Sequence, residues 1–235
     1  MQKETVKENF DNMASSYDAQ WEQLSAINDS LHLLLGGLFT ELKDDANILC
    51  VGAGTGAEII YLAQRFPGWR FTAVEPSTGM IKVCKERLSA LGLEDRCSFH
   101  SDYLETLPIS DPFDAATSLL VSQFILEQDE RINFFSAIAD RLKPGGILAS
   151  TDLSADLNAS SYQSLLQIWL MMMKHGGVSP QALEGMKNAY GTSVSVMSAN
   201  ELSKLIQAAG FDEPTRFYQV GLINGWYCRK GFKKI

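Results

Sequence analysis

Asn47-Ile48-Leu49-Cys50-Val51-Gly52-Ala53-Gly54-Thr55-Gly56-Ala57-Glu58 is the stretch on which the fold turns. A short apolar run stops at a glycine, glycines then alternate with small residues, and a helical pattern begins at Ala57 and runs to Phe66, where Pro67-Gly68 ends it. An apolar run of this length bounded by glycine reads as a buried strand, and strand, glycine-rich turn and helix in that order open a β–α unit. Glycine there supplies backbone conformations that a Cβ forbids and lets the chain approach a ligand closely. The spacing carries two readings at once. Gly52, Gly54 and Ala57 satisfy the G-x-G-x-x-A form of the dinucleotide fingerprint, while Gly52, Gly54 and Gly56 form a G-x-G-x-G series. A purely structural turn is the third reading.

Working outward, the same alternation continues. Trp69–Val74 reads as a second strand and Ser77–Leu91 as a helix, with Met80, Ile81, Val83, Cys84, Leu88 and Leu91 on one face and Gly92 as its stop. Cys97–Ser101 and Phe113–Leu120 are the next strands, Asp129–Leu142 a helix with Ile132, Phe135, Ile138 and Leu142 inward, and Gly146–Leu153 a fifth strand. Such β–α alternation predicts an α/β fold, a mostly parallel sheet covered by helices on both faces. Ligands in sheets of this kind bind beyond the carboxyl ends of the strands. Glu75 falls there, about 20 residues after the glycines, where a carboxylate can accept hydrogen bonds from both ribose hydroxyls. Glu75-Pro76-Ser77 is equally a sound helix start, so the residue has a structural reading too.

Later strand ends supply Ser101-Asp102-Tyr103, Leu119 to Phe124, and the turn Leu142-Lys143-Pro144-Gly145-Gly146. The ordered set VGAGTGAE, VEPS with Met80, SDY, FDAATSLL and LKPGG resembles the motif series of class I S-adenosylmethionine (SAM)-dependent methyltransferases, over roughly residues 47 to 153. The resemblance implies a Rossmann-like fold with a seven-stranded sheet, mostly parallel, whose last strand is antiparallel. It implies SAM as cofactor and S-adenosylhomocysteine as product. It places Gly52, Ala53, Gly54, Gly56, Glu75, Pro76 and Met80 on the cofactor, Asp102 on the adenine amino group, Tyr103 beside the adenine, and Leu119 and Leu120 along the methionine end. The C-terminal part agrees. Ser198 and Glu201 form a capping box for a helix bearing Leu202, Leu205, Ile206 and Ala209, stopped by Gly210. Thr215–Val220 and Gly225–Phe232 then read as a closing hairpin around Ile223-Asn224-Gly225. An NAD-type Rossmann domain does not end that way.

The expected organisation is an N-terminal helical lid (1–45), a SAM-binding core (46–153), a helical insertion forming the acceptor pocket (154–197), and a C-terminal helix with the hairpin (198–235). Within the first segment Phe10-Asp11-Asn12-Met13-Ala14-Ser15-Ser16-Tyr17-Asp18 is similar to a lid stretch of related methyltransferases, which would put Tyr17 on the methionine portion of SAM or on the substrate, with Trp21 nearby on the substrate. The alternative is an amphipathic helix whose aromatics only pack. Gln123, just after the fourth strand, is placed to face the acceptor. The insertion carries Ile168, Trp169, Leu170, Met171, Met172 and Met173, then His175 and Tyr190; methionines adapt to irregular ligands and are also ordinary core filler. His175 is a general-base candidate by type, although a histidine before Gly176-Gly177 also reads as a helix C-terminal cation. No catalytic residue is assigned.

Composition narrows the partners. The chain has 235 residues, 46% of them hydrophobic, and a formal net charge of −8, which repels polyphosphate and makes a small-molecule acceptor a better expectation than nucleic acid. The basic tail of Arg229, Lys230, Lys233 and Lys234 is too short for a nucleic-acid footprint. The four cysteines, Cys50, Cys84, Cys97 and Cys228, lie in apolar stretches without metal-ligand spacing, so no metal is expected and a reducing compartment suits them. Met1–Phe10 is charged rather than apolar, and the greasiest stretch, Leu165–Met173, is too short to span a bilayer, so a cytoplasmic protein with no membrane contact is expected. The oligomeric state is left open, a homodimer being allowed. Ser122-Gln123-Phe124-Ile125 and the insertion faintly resemble the carboxy-SAM synthase branch, a tRNA-modification activity, but the insertion has Lys187 and no arginine between Asp156 and Ala199, and lysine does not reproduce a bidentate grip. An NAD-dependent oxidoreductase and a non-catalytic SAM-binding module are the remaining alternatives.

Overall fold

A computed structural model describes residues 3–231. Met1 and Gln2 of the charged N-terminal stretch, Phe232 of the expected last strand, and Lys233 and Lys234 of the basic tail lie outside the described residues. Strands β1 (Asn47–Val51), β2 (Arg70–Val74), β3 (Cys97–His100), β4 (Phe113–Leu119), β5 (Leu142–Leu153), β6 (Thr215–Val220) and β7 (Ile223–Arg229) form one sheet in the order β3-β2-β1-β4-β5-β7-β6. The first five are parallel; β7 runs antiparallel to both β5 and β6. The chain winds outward from β1 to β3 and then restarts at β4 on β1's other side. That reversal opens a crevice above the carboxyl ends of β1 and β4.

The sequence explains why both faces need cover. In β1, Ile48 and Cys50 enter one core cluster and Leu49 and Val51 the other, so neither side of the strand meets water. On the first face lie α3 (Ser25–Leu38), α4 (Ala57–Arg65), α5 (Thr78–Ala90) and α7 (Tyr162–His175), contributing Leu35, Ile59, Leu62, Ile81, Leu88 and Trp169. On the second lie α6 (Gln128–Arg141) and α9 (Ala199–Ala208), contributing Phe135, Ile138, Leu202, Leu205 and Ile206. The capping box of Ser198 and Glu201 is present in both directions. Cys50, Cys84 and Cys228 are buried as free thiols. No described helix is long and apolar enough to cross a membrane.

Three details differ from the sequence expectation. Ile223-Asn224-Gly225 is no turn but the start of β7. Val220 pairs with Ile223, which leaves Gly221 and Leu222 as the loop, and Gly221 takes φ +56°, the conformation that glycine serves at the first position of a tight hairpin. Asn224 is buried, and its Nδ2 donates to the carbonyls of Ser154 and Leu222, so the Asn-Gly pair is used for bridging. Second, β5 starts at Leu142; the Lys143–Gly146 segment is a bulge against β4, with pairing shifted between Phe113 and Ala115. Third, Leu91 is exposed, because it caps α5 from beyond its last turn, ahead of Gly92 at φ +67°.

A buried charge holds the elements around the crevice. Arg131 in α6 is 1% exposed. Its Nη2 meets Asp152 Oδ1 at 2.9 Å, its Nε donates to Ser122 Oγ at 2.8 Å, and its Nη1 donates to Ser195 Oγ at 3.0 Å. The guanidinium thus ties α6 to the turn after β4, to the end of β5 and to the segment before α9. Removing one partner of a buried pair strands the other charge, at a cost of about 3–5 kcal/mol, whereas an apolar pair of similar volume is often neutral. Arg131→Met should therefore lower stability in urea unfolding by about that amount, and Arg131→Met with Asp152→Leu should recover most of it. A double variant as unstable as the single one would show that the network contributes more than charge pairing.

Candidate active site

The crevice is built first by backbone. The N–H groups of Gly52 and Ala53 both donate to the Val74 carbonyl, drawing the loop after β1 across the end of β2. Gly52 has φ +71°, and a Cβ there would run into the Val121 side chain. Gly56 has φ +78° and would press a Cβ to 2.5 Å from Cys84 Sγ. Gly54 differs: it also needs a positive φ, +54°, but nothing lies within 4 Å of where its Cβ would be. Two glycines are demanded by packing, and the middle one leaves space above the loop.

Glu75 fixes that loop. Its Oε2 accepts from Gly54 N at 3.0 Å and its Oε1 from Ser77 N at 2.8 Å. Burial pushes its carboxyl above the usual range, more than these two N–H groups pull it down. On the far side, Leu120 adopts φ +57°, a conformation that a bulky residue adopts only when its surroundings impose it. The imposing contacts are Leu120 N to Thr151 O at 2.8 Å and to Thr151 Oγ1 at 3.1 Å. The strained turn sets Leu119, Leu120 and Val121 along one wall.

The roof comes from the N-terminal helices α1 (Lys3–Met13) and α2 (Tyr17–Trp21). Asp11 Oδ1 accepts from Gly79 N at 2.8 Å and from Ser77 Oγ at 2.7 Å, a carboxylate brought to the N-terminus of α5 from a distant segment. Asp18 accepts from Thr55 Oγ1 at 2.7 Å and pairs with Arg87 at 3.0 Å. Ala14 is buried beside Gly79, whose Cβ would sit 3.1 Å from Ala14 Cβ. Phe10 and Tyr17 face the cavity, and Phe10 meets Phe124 edge-on with ring centroids 5.6 Å apart. The Phe10–Asp18 stretch thus alternates anchors with lining residues. Burial raises the Tyr17 phenol to about 12, so it stays neutral.

These parts enclose a cavity of about 240 Å³, just below the usual range for small-molecule sites. Of the residues expected at the site, Gly52, Ala53, Gly54, Glu75, Pro76, Met80, Tyr103, Leu119, Leu120 and Tyr17 line it. Gly56 shapes the loop from behind through its contact with Cys84. Asp102 is exposed off the wall, its Oδ1 accepting from Tyr103 N at 2.8 Å. Gln123 and Trp21 are not brought to the wall: Gln123 Oε1 accepts from Leu153 N at 3.0 Å, and Trp21 packs against the core. No residue of 154–197 lines this cavity, so the expected acceptor pocket from the insertion does not describe it. Instead Trp169 is buried against Gly221 and bonds Tyr190 through its indole N–H at 2.9 Å, Gly176 packs on Leu24, and His175 is exposed. The wall also holds residues that carry no role in the sequence reading: Glu58 in the first turn of α4, Asn28, Leu31 and His32 of α3, and Phe134 of α6. On amphipathic helices such residues look like core or surface, and only the placement of α3 across the crevice marks them.

The sheet order, the switch point and the glycine loop define a Rossmann-like cofactor fold of the methyltransferase type. Residues 48–146 match the family model described as "Methyltransferase domain". The chain is 31% identical over 147 residues to a malonyl-[acyl-carrier protein] O-methyltransferase of Priestia megaterium, covering 62% of this chain and 50% of that protein. It is 31% identical over 114 residues to an erythromycin 3''-O-methyltransferase of Saccharopolyspora erythraea, covering 48% of this chain and 36% of that one. The fold superposes on mitomycin 7-O-methyltransferase with a TM-score of 0.62 at 20% identity, over 98% of this chain and 59% of the other. The chain therefore spans half or less of the two sequence relatives' length.

The Asp11 contacts make a direct prediction for the roof. A capping carboxylate is worth about 0.5–2 kcal/mol. Asp11→Ala should lower stability by that amount and speed tryptic cleavage at Lys7 by about tenfold, as local opening of α1 becomes easier. An unchanged cleavage rate would mean that Phe10 and Tyr17 hold the roof without it.

Proposed function

We propose that the protein is a methyltransferase that uses SAM to methylate a hydroxyl group of a small, largely apolar molecule. The observation that carries this reading is one cavity lined by residues of two kinds. Gly54, Glu75, Pro76, Met80 and Tyr103 share its wall with Leu31, Phe124, Ile125 and Phe134. The O-methyltransferase names of the relatives support the hydroxyl, and the apolar lining supports a small acceptor.

The residues present fit an adenosyl ligand. Space stands open above Gly54, Glu75 keeps lone pairs beyond those taken by Gly54 and Ser77, and the Tyr103 hydroxyl is buried with no partner among the described residues. In this reading Glu75 accepts the ribose hydroxyls, Met80 and Tyr103 border the adenine with Asp102 at its rim, and Leu119, Leu120 and Tyr17 surround the methionine end. SAM supplies an electrophilic methyl on a sulfonium. The protein's own work is to align the acceptor oxygen with that methyl and to exclude water, and alignment alone is worth several kcal/mol. The roof of Phe10 and Tyr17 performs the exclusion.

Isothermal titration with S-adenosylhomocysteine, with NAD in parallel, tests the reading. Micromolar binding of the former alone is expected; NAD binding without it would move the protein to the oxidoreductases. Glu75→Ala should weaken S-adenosylhomocysteine by about 10- to 100-fold, the scale of a lost charge-assisted hydrogen-bonding group. A folded variant with wild-type affinity would remove Glu75 from the ribose.

A further inference from the structure

Glu58 is a buried acidic group of the cavity that the reading above leaves without work. It is 6% exposed, sits in the first turn of α4 directly after the glycine loop, and lies on the cavity wall. Glu75 has two backbone N–H partners from other residues, whereas the only donor to the Glu58 carboxylate among the described residues is its own backbone N–H. The groups around it supply no free cation. Arg87 is near, but its guanidinium already pairs with Asp18 and donates to Thr55 O and Oγ1. Burial lowers His32, which lines the same wall, so it is neutral at neutral pH. Tyr17, Cys50, Cys84 and Cys97 are held protonated by burial, and Glu75 has the same sign. Lys3 and Lys7 reach the cavity at its α1 end, where Lys3 pairs with Glu105 and lies over Tyr103, and Lys7 acts on Asp11 and Asp102.

An unpaired carboxylate in such a place is costly, so burial favours the protonated form and a positive charge beside it favours the ionised one. Burial and the Glu75 charge, opposed by its own N–H and by Arg87, bring the Glu58 carboxyl to about 7.

We propose that Glu58 is the counter-charge of the reacting centre and its proton acceptor: ionised opposite a sulfonium, protonated opposite a thioether. The inference rests on the SAM reading of the cavity. The charges balance with no outside reactant. The acceptor oxygen forms a bond to the methyl carbon, the carbon–sulfur pair stays on sulfur, and the acceptor's proton passes to a Glu58 oxygen. Sulfonium with carboxylate becomes thioether with carboxylic acid, so the buried site is neutral before and after. The proton leaves to water as the products depart. The device suits an acceptor that is protonated at neutral pH, an alcohol or phenol, and gives nothing to an acceptor that is already an anion.

Titrations of SAM and of S-adenosylhomocysteine against the full chain, from pH 6 to pH 8, test this without an acceptor. A cation prefers the ionised carboxylate, so SAM must displace a proton below the carboxyl's pKa and gains affinity as pH rises; the neutral thioether prefers the acid and loses it. The affinity for SAM should grow by about tenfold over this range and its preference over S-adenosylhomocysteine by up to about a hundredfold, and SAM binding at pH 6 should release a proton, read as buffer-dependent binding heat. In Glu58→Gln both effects should vanish while S-adenosylhomocysteine still binds. The ligands' own titrations are common to the two proteins and cancel. Should the glutamine variant not fold, the proton count of the wild type and of Glu58→Asp decides. Binding of both ligands with a pH-independent ratio, or with the same dependence in Glu58→Gln, overturns the inference alone; binding of neither overturns the SAM reading with it.

Discussion

The Glu75 carboxylate is the joint from which the site hangs. One of its oxygens takes the N–H of Gly54 and the other the N–H of Ser77, so a single side chain joins the loop after β1 to the start of α5. Ser77 then caps α5 through Met80 N and donates to Asp11, and Asp11 brings α1 down over the crevice. The order of dependence is loop, carboxylate, helix start, roof. Each link is a hydrogen bond to charge or to a helix N-terminus, where such bonds are strongest.

The opposite wall is made by force rather than by fit. Leu120 is held left-handed by Thr151, and Val121 fills the space that a side chain on Gly52 would take. The loop glycine and the strained turn are therefore one device seen from two sides. Behind them, Arg131 and Asp152 fix the distance between α6 and β5 with a buried pair. Strain and buried charge are tolerated in the same place because the core strands on both faces are well covered.

How much of this was legible follows from how local each determinant is. β1, β2 and the capping box of α9 depend on neighbours within a few residues, and the sequence shows them with nearly the observed limits. The glycine loop is legible for the same reason. Arg131 is not, because a charge between Glu130 and Ile132 looks solvated, and its burial depends on Ser122, Asp152 and Ser195, which only the fold brings together. Asn224-Gly225 misleads for a related reason: the dipeptide has strong turn chemistry, but the pairing of Val220 with Ile223 places the reversal earlier. The glycine loop and Glu75 are legible as motif, whereas Asn28 and His32 become visible only once α3 lies across the crevice.

The insertion has a neck. Ser154 pairs with Met197, Ala155 N donates to Met197 O, and Ser195 N donates to Gln123 O, so the excursion leaves and rejoins the body at nearly one point. Everything between, α7 and α8 (Pro180–Ala189), is a closed parenthesis in the chain. A segment gripped at its base in this way decouples its own length from its surroundings: chain added or removed at the tip between α7 and α8 leaves the spacing of β5 and α9 as it is.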